Sequence, residues 1–390
     1  MSRDFDIVLF GATGFTGGLT AEYLARNAPA HLRWAIAGRS ESKLAAVRDR
    51  LAAIDPRLET MDLLVADVTD ATALAGVVER TKAVITTVGP YLEHGEPLVA
   101  ACAAAGTDYV DLTGEPEFID EMYVRHHAAA EGSGARIVHA CGFDSIPHDL
   151  GAYFTVQHLD ASGPVTVRGV VRSNATFSGG TFHSFLGSAP RARQMRAAHK
   201  ARKQAEPKLI GRKSRAITGK PHRDKVLGFW LLPLPTIDPG VIARSGAALK
   251  AYGPDFRYSH YAGTKTLRYA AGGAAGFAAL AGAAQVKPVR EFLGRKVPQG
   301  SGPDEARRRK SWFTVDFVGE AAGETVHTRV SGGDPGYTET SKMLAESALC
   351  LVLDSNPPTA GMVTTAQAMG ENLLARLRKA GIKFELVRPT

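Results

Sequence analysis

Through the first 150 residues, short apolar runs alternate with stretches of helical periodicity. The runs are 6–10, 33–37, 62–66, 83–88, 109–112 and 136–140, compact enough for strands buried on both faces. Between them the apolar positions fall at helical spacing, as in Leu19, Tyr23 and Leu24, or form a small apolar helix as in 95–105. Strands alternating with helices predict a parallel sheet with right-handed crossovers. After about residue 152 the period changes to two. Val165–Val171, Trp312–Phe317 and Glu324–Val330 read as antiparallel strands, the last two joined through 319–323 as a hairpin. Helices are expected over Thr338–Leu353 and about Thr359–Lys379. The expected fold is α/β, a Rossmann-type doubly wound parallel sheet with a second α+β domain built on a largely antiparallel sheet. The boundaries predicted are 1–151 for nucleotide binding and 152–358 for a substrate or oligomerisation domain with a basic insertion at 190–225. Residues 359–390 are read as a terminal helix and tail packing back on the fold.

The first apolar run ends at Gly11-Ala12-Thr13-Gly14-Phe15-Thr16-Gly17, and a helix follows. A buried strand, a glycine turn and a helix N-terminus make a pyrophosphate site, because the free N–H groups and the helix dipole face the phosphates. The spacing is GxxGxxG, and its position at a strand–turn–helix junction is what gives it meaning. Gly11, Thr13, Gly14, Phe15, Thr16 and Gly17 are therefore candidate cofactor ligands. The second run ends in Gly38-Arg39-Ser40, with Lys43 one turn on. An NAD site usually places an acid here for the ribose 2′-hydroxyl. Arg39, Ser40 and Lys43 suit a 2′-phosphate instead, so the expected cofactor is NADPH. Asp67, after the third run, is placed to meet the adenine edge, and Gly89-Pro90, after the fourth, to meet the nicotinamide ribose.

The chain has 390 residues, 44% hydrophobic and 22% charged, which excludes disordered and fibrous classes. Cys102, Cys141 and Cys350 have no CxxC spacing, so neither a disulfide framework nor a zinc site is expected. No HExxH or clustered carboxylates appear, and no metal is predicted. No basic n-region precedes a long apolar run, so no signal peptide is expected, and the cysteine usage suits a cytoplasmic location. The net charge of +8 is uneven: residues 191–225 hold thirteen Lys/Arg against Glu206 and Asp224. A second basic run is Arg307-Arg308-Arg309-Lys310. Localised charge points to an anionic partner, an acidic carrier protein or an anionic membrane, or else to a solvated loop. Aromatic residues are absent between 186 and 228, which argues against nucleic acid. Residues 269–286 are uncharged but mostly Ala and Gly, which argues against a spanning helix. They predict a buried helix, or one touching a greasy ligand or the inner face of the plasma membrane; Leu227–Pro235 adds an apolar wall.

GATGFTG at the start, AGRS at 37–40, TTVGPY at 86–91, DLTGE at 111–115 and CGFDSIPHDLG at 141–151 resemble the saccharopine dehydrogenase-like oxidoreductases. LAESALCL at 344–351 and MVTTAQAMGENLLARL at 362–377 are similar, more narrowly, to the trans-acting enoyl reductases of actinobacterial lipid biosynthesis. The resemblance implies an NADPH-dependent reductase that saturates a carrier-bound enoyl thioester for a polyketide synthase lacking that step.

Such a reduction needs a proton for the α-carbon and hydrogen-bond donors at the thioester oxygen. Tyr91, Asp144, Ser145 and His148 follow strand ends and are the candidate catalytic residues, with Glu115 and Asp149 nearby. Tyr91 would donate a hydrogen bond or proton, and Ser145 or His148 would hold the oxyanion. Asp149 reads equally as a helix cap. Cys141 lacks an oriented base and is read as inert, Cys102 as core packing, and His183 as a further candidate from the second domain. One alternative is a saccharopine-type C–N oxidoreductase on an amino acid and keto acid, for which Arg168 and Arg172 would clamp carboxylates. Another is a non-enzymatic NADP-sensing protein. A homodimer is suggested only by analogy with other two-domain reductases.

Overall fold

The computed structural model describes residues 3–175, 178–297 and 302–387. Among these residues the strands form two sheets. The first has the order 361–363, 136–138, 108–110, 81–86, 5–10, 34–38, 63–65, and every pairing in it is parallel. Its central strand Phe5–Phe10 carries Ile7, Val8 and Leu9 fully buried, because helices cover both faces. That double burial explains an apolar run where a one-faced strand would alternate. The strand order reverses between Phe5–Phe10 and Thr81–Thr86, so the crevice that binds ligands in such sheets opens above these two carboxyl ends.

The second sheet runs 383–386, 324–332, 313–321, 164–173, 255–264, 230–233, 222–223, and Lys213–Ala216 also pairs with 255–264. It is mostly antiparallel, but 255–264 lies parallel to both 164–173 and 213–216. The helix Ile146–Val156 leaves the first sheet and packs on the second. Gly151 permits this approach, since a Cβ there would collide with the Phe317 ring.

Several expectations change. The helix Thr338–Leu353 packs against the first helix, Phe15–Asn27, rather than on the second sheet: Tyr23 Oη donates to Glu346 at 2.7 Å and Ser341 Oγ to the Thr16 carbonyl at 3.2 Å. The expected helix 359–379 is broken. Gly361–Val363 extends the parallel sheet beside Arg136–Val138, Thr364 caps a short turn Thr365–Ala368, and Gly370, at φ +37°, opens the helix Gly370–Lys379. The chain then returns as Lys383–Leu386 to edge the second sheet; 388–390 of the expected tail lie outside the described residues. The hairpin turn falls at Ala322–Gly323, both at positive φ, and Gly319 belongs to the strand. The Ala/Gly-rich helix Leu267–Gln285 is mostly exposed, with Ala270 and Ala284 buried and Leu280, Ala281 and Ala283 half-buried, so it is not a buried helix.

Candidate active site

The glycine loop is built by contact at the closest range. Gly11 sits at φ +90°, and a Cβ there would lie 2.5 Å from Thr87 Oγ1. A Cβ on Gly17 would overlap the Gly11 carbonyl oxygen. Only glycine lets the helix Phe15–Asn27 begin this close to the strand. Thr13 and Gly14 are exposed at the N-terminus of that helix, leaving backbone open to an anion, while Phe15 and Thr16 are half-buried. At the end of the second strand, Arg39 and Lys43 are exposed, and Ser40 precedes the helix Glu41–Ala52 without capping it. Neither Arg39 nor Lys43 is ion-paired among the described residues, so the cradle fits a phosphate-bearing dinucleotide. Asp67 spends its carboxylate on its own turn, accepting from Thr69 N at 2.9 Å and Thr69 Oγ1 at 2.7 Å, which with nearby Arg39 holds its pKa below the usual value. Gly89 and Pro90 form the loop that follows Thr81–Thr86.

Next along the sheet edge, a buried carboxylate organises two loops. Asp111 Oδ1 accepts from Thr113 N at 3.1 Å and Ala140 N at 2.8 Å; its Oδ2 accepts from Tyr109 Oη at 3.0 Å and lies 2.7 Å from His139 Nδ1. Phe143 N donates to Thr340 Oγ1 at 3.0 Å. These bonds fix the turn that carries Asp144. Asp144 is half-buried and makes no hydrogen bond to another described residue; Gly114 faces its carboxyl, with a Cβ there 3.7 Å from Cγ. Burial first, and the Asp238 charge second, push Asp144 up to about 7.

Behind Asp144 lies a polar cluster from three elements. His148 Nδ1 is 2.9 Å from Asp238 Oδ1, and His260 Nε2 is 3.7 Å from Asp238 Oδ2. Tyr258 Oη lies 2.9 Å from His260 Nδ1, and Thr236 Oγ1 donates to Asp238. Burial pushes His260 down to about 4, so it is neutral at pH 7. Burial works against the Asp238 charge, yet the two imidazoles hold its carboxyl below the usual range. Donor atoms of His148, Asp238 and His260 lie within 4.8 Å of one another, close enough to hold a cation. The same spacing suits one carboxylate shared between two imidazoles, which needs no ion.

Of the candidate catalytic residues, Asp144 keeps partial exposure and no side-chain partner among the described residues, whereas Tyr91 is fully engaged. The Tyr91 ring is buried, its hydroxyl donates to the Thr86 carbonyl at 3.1 Å and accepts from Leu112 N at 3.1 Å. Both bonds hold loops together, and burial drives its pKa well up, so Tyr91 is a structural tyrosine. Ser145 and His148 are 0% and 2% exposed, which sets them behind Asp144 rather than on the crevice wall. Glu115 accepts from Tyr91 N, Leu92 N and Ser184 Oγ, tying the helix Gly179–Ser188 over this edge. Asp149 accepts from Ala366 N at 2.9 Å instead of capping its own helix. His183 Nε2 meets the Val297 carbonyl at 2.6 Å. Cys102 and Cys141 are buried with thiols driven up by desolvation.

Comparison with known proteins agrees with this geometry. Residues 7–138 match the family model described as the saccharopine dehydrogenase NADP binding domain. A Mycobacterium tuberculosis protein, provisionally named a trans-acting enoyl reductase, is 39% identical across 99% of this chain and 98% of its own. Trans-acting enoyl reductases of Mycobacterium bovis and Mycobacterium ulcerans are 35% and 33% identical over the same shares. The chain belongs to the trans-acting enoyl reductase family. Apo saccharopine dehydrogenase from Saccharomyces cerevisiae shares the fold, with a TM-score of 0.56 at 12% identity, over 98% of this chain and 100% of that one. With the NADP-binding domain matched over residues 7–138 and relatives named enoyl reductases, this chain is an NADP-dependent oxidoreductase.

Sequence reading overlooked Asp111, Asp238 and His260 as site residues. Asp111 lay inside the DLTGE block, and Thr236-Ile-Asp-Pro is a helix-start signal. Nothing in their linear spacing brings positions 148, 238 and 260 together. The raised Asp144 pKa yields a stability signature. A carboxyl raised in the folded state contributes stability that is fully present below its unfolded pKa near 4 and is lost as pH rises through about 7. Asp144→Asn is therefore expected to gain stability relative to the parent from pH 4 to pH 8 in urea unfolding; a difference that does not change with pH would contradict the raised pKa.

Proposed function

We propose that this reductase saturates the enoyl double bond of an acyl thioester carried by a separate protein, with Asp144 as the proton donor to the α-carbon. The carrying observation is a half-buried carboxyl, pushed up to about 7, without a hydrogen-bond partner among the described residues, in the loop after Arg136–Val138 at the same carboxyl edge of the parallel sheet as the glycine loop. NADPH bound along Gly11–Gly17, with Arg39, Ser40 and Lys43 at its 2′-phosphate, supplies the hydride. Everything else falls to the chain. Asp111 and Thr340 hold the Asp144 turn, and Gly114 leaves room beside the carboxyl for a substrate carbon. His148, kept in place by Asp238, sets the field behind Asp144. An acid with a pKa near the working pH suits proton delivery.

The C–N alternative loses one of its two arginines, since Arg168 pairs with Asp224 and Glu320 at 2.6 Å each. Arg172 stacks on Phe229, its guanidinium carbon 4.1 Å from the ring centroid. The sensor reading gives no reason for an unpaired acid at this edge.

The basic segment divides into two groups. Arg191 pairs with Glu117, Arg202 with Asp120 and Glu206, Arg215 with Asp255, and Arg212 donates to backbone carbonyls. Arg193, Arg196 and Lys200 stay exposed without ion pairs among the described residues, on the helix Ala192–Ala205 that leads away from the site-covering helix Gly179–Ser188. This face supports docking of an acidic carrier. No helix of the described residues is long and apolar enough to cross a membrane. The exposed helix Leu267–Gln285 and its successor Lys287–Lys296 nevertheless present Leu267, Tyr269, Phe277, Val289 and Phe292 beside Arg268, Lys287, Arg295 and Lys296, a composition that supports surface contact with anionic lipid.

Purified protein with NADPH and a carrier-bound trans-2-enoyl thioester should oxidise the cofactor, with kcat/KM falling as pH rises through about 7. Asp144→Asn should lose about 10²–10⁴-fold in rate and this pH limb; full activity in that variant would reject the assignment. Reversing Arg193, Arg196 and Lys200 to Glu should raise KM several-fold for the carrier-bound substrate and leave that of a small thioester unchanged. Co-sedimentation with phosphatidylglycerol vesicles, but not phosphatidylcholine vesicles, should be lost in Phe277→Ser/Phe292→Ser. Equal behaviour with both lipids would exclude the membrane contact.

A further inference from the structure

We infer that Arg308, from the second half of the chain, binds the cofactor pyrophosphate. The inference rests on the NADP-binding loop and adds a residue far outside it. Within Arg307-Arg308-Arg309-Lys310 the four cations do not behave alike. Arg307, Arg309 and Lys310 are exposed, and Arg309 pairs with Glu305. Arg308 is turned inward. Its guanidinium carbon lies 5.4 Å from the centroid of the Phe15 ring, and one terminal nitrogen donates to the Pro303 carbonyl at 2.7 Å. Its Nε is buried without a hydrogen-bond partner, and no carboxylate among the described residues pairs with it.

Phe15 is the first residue of the helix whose exposed N-terminus, Thr13-Gly14, forms the anion-binding end of the glycine loop. Phe15 is also packed edge-on by Tyr337, at 4.9 Å between ring centroids, so residues from beyond 300 wall this end of the loop on two sides. A fixed cation without a carboxylate is costly to hold half-buried unless an anion completes it. The N–H groups of a helix N-terminus attract that same anion, and a planar guanidinium adds charge-assisted, bidentate bonds to phosphate oxygens. The Phe15 ring, 5.4 Å from the guanidinium carbon, adds a cation–π attraction that keeps the cation at this end of the loop. Arg308 and Arg39 thus attend different parts of one cofactor, the shared pyrophosphate and the 2′-phosphate peculiar to NADPH.

That division makes the test selective. Dissociation constants for NADPH and NADH would be measured by reduced-nicotinamide fluorescence for the parent, Arg308→Gln, Arg308→Lys and Arg39→Ala, without substrate. Arg308→Gln, which keeps a side chain over Phe15 and drops the charge, should weaken both cofactors by the same factor, about tenfold to a hundredfold. Arg308→Lys should recover part of that loss. Arg39→Ala should weaken NADPH alone. Unchanged binding of both cofactors in a folded Arg308→Gln, checked by its thermal transition, would overturn the inference. So would a loss confined to NADPH. If the parent itself bound neither cofactor, the NADP assignment would fail, an outcome separate from failure of Arg308.

Discussion

The arrangement of the parallel sheet's carboxyl edge around Asp144 depends on one buried carboxylate. Asp111 gathers two backbone N–H groups, a tyrosine hydroxyl and a histidine nitrogen from two successive strand–loop junctions. A buried carboxylate survives only when its lone pairs are filled, and here each filled site belongs to a chain segment that must otherwise find its own partner. Ala140, held at φ 61° in a region that L-residues rarely occupy, is one such segment. The Asp111 bonds to Ala140 N and His139 hold it there. The turn that follows delivers Asp144, which has no comparable set of donors and remains the uncommitted acid. Satisfying one aspartate completely leaves its neighbour free.

The two halves of the chain are joined by polar contacts at this edge as much as by apolar packing. Thr340 and Ser341 come from the helix Thr338–Leu353 and reach Phe143 N and the Thr16 carbonyl. His260 and Asp238 come from the second half and stand behind His148. Asp144 therefore lies in a field set by both halves. Its protonation responds to Asp238 through space, and burial amplifies that coupling because the local dielectric is low.

Charge on the surface divides by the same logic. A basic stretch read along the chain looks uniform, but each guanidinium in it reaches a different neighbour. Arg202 is buried between Asp120 and Glu206, and Arg212 caps carbonyls around Gly246 and Leu249. These arginines are consumed in joining the insertion to the body of the protein. Only those left facing solvent, or turned toward Phe15 as Arg308 is, carry charge that a phosphate or an acidic partner can use.

Local pattern by itself determined the parallel sheet, the glycine loop with Arg39 and Ser40 after the next strand, and the change of period near residue 152. Strand burial and the tight glycine turn are properties of a few adjacent residues, so they are written at short range. Tyr91 shows where that range ends. Its place after a strand suggested chemistry, while its burial and its two backbone bonds depend on Leu112 and Thr86 folding around it. The helix expected over 359–379 broke because a parallel sheet had an open edge beside Arg136–Val138 that Gly361–Val363 could pair with. The exposure of Leu267–Gln285 likewise depends on what does not pack against it. Only the tertiary structure decided that 148, 238 and 260 meet, and that one arginine of four turns inward. Side-chain partners distant in sequence, 148 with 238 or 15 with 308, are set by the topology of both sheets, and no periodicity along the chain encodes them.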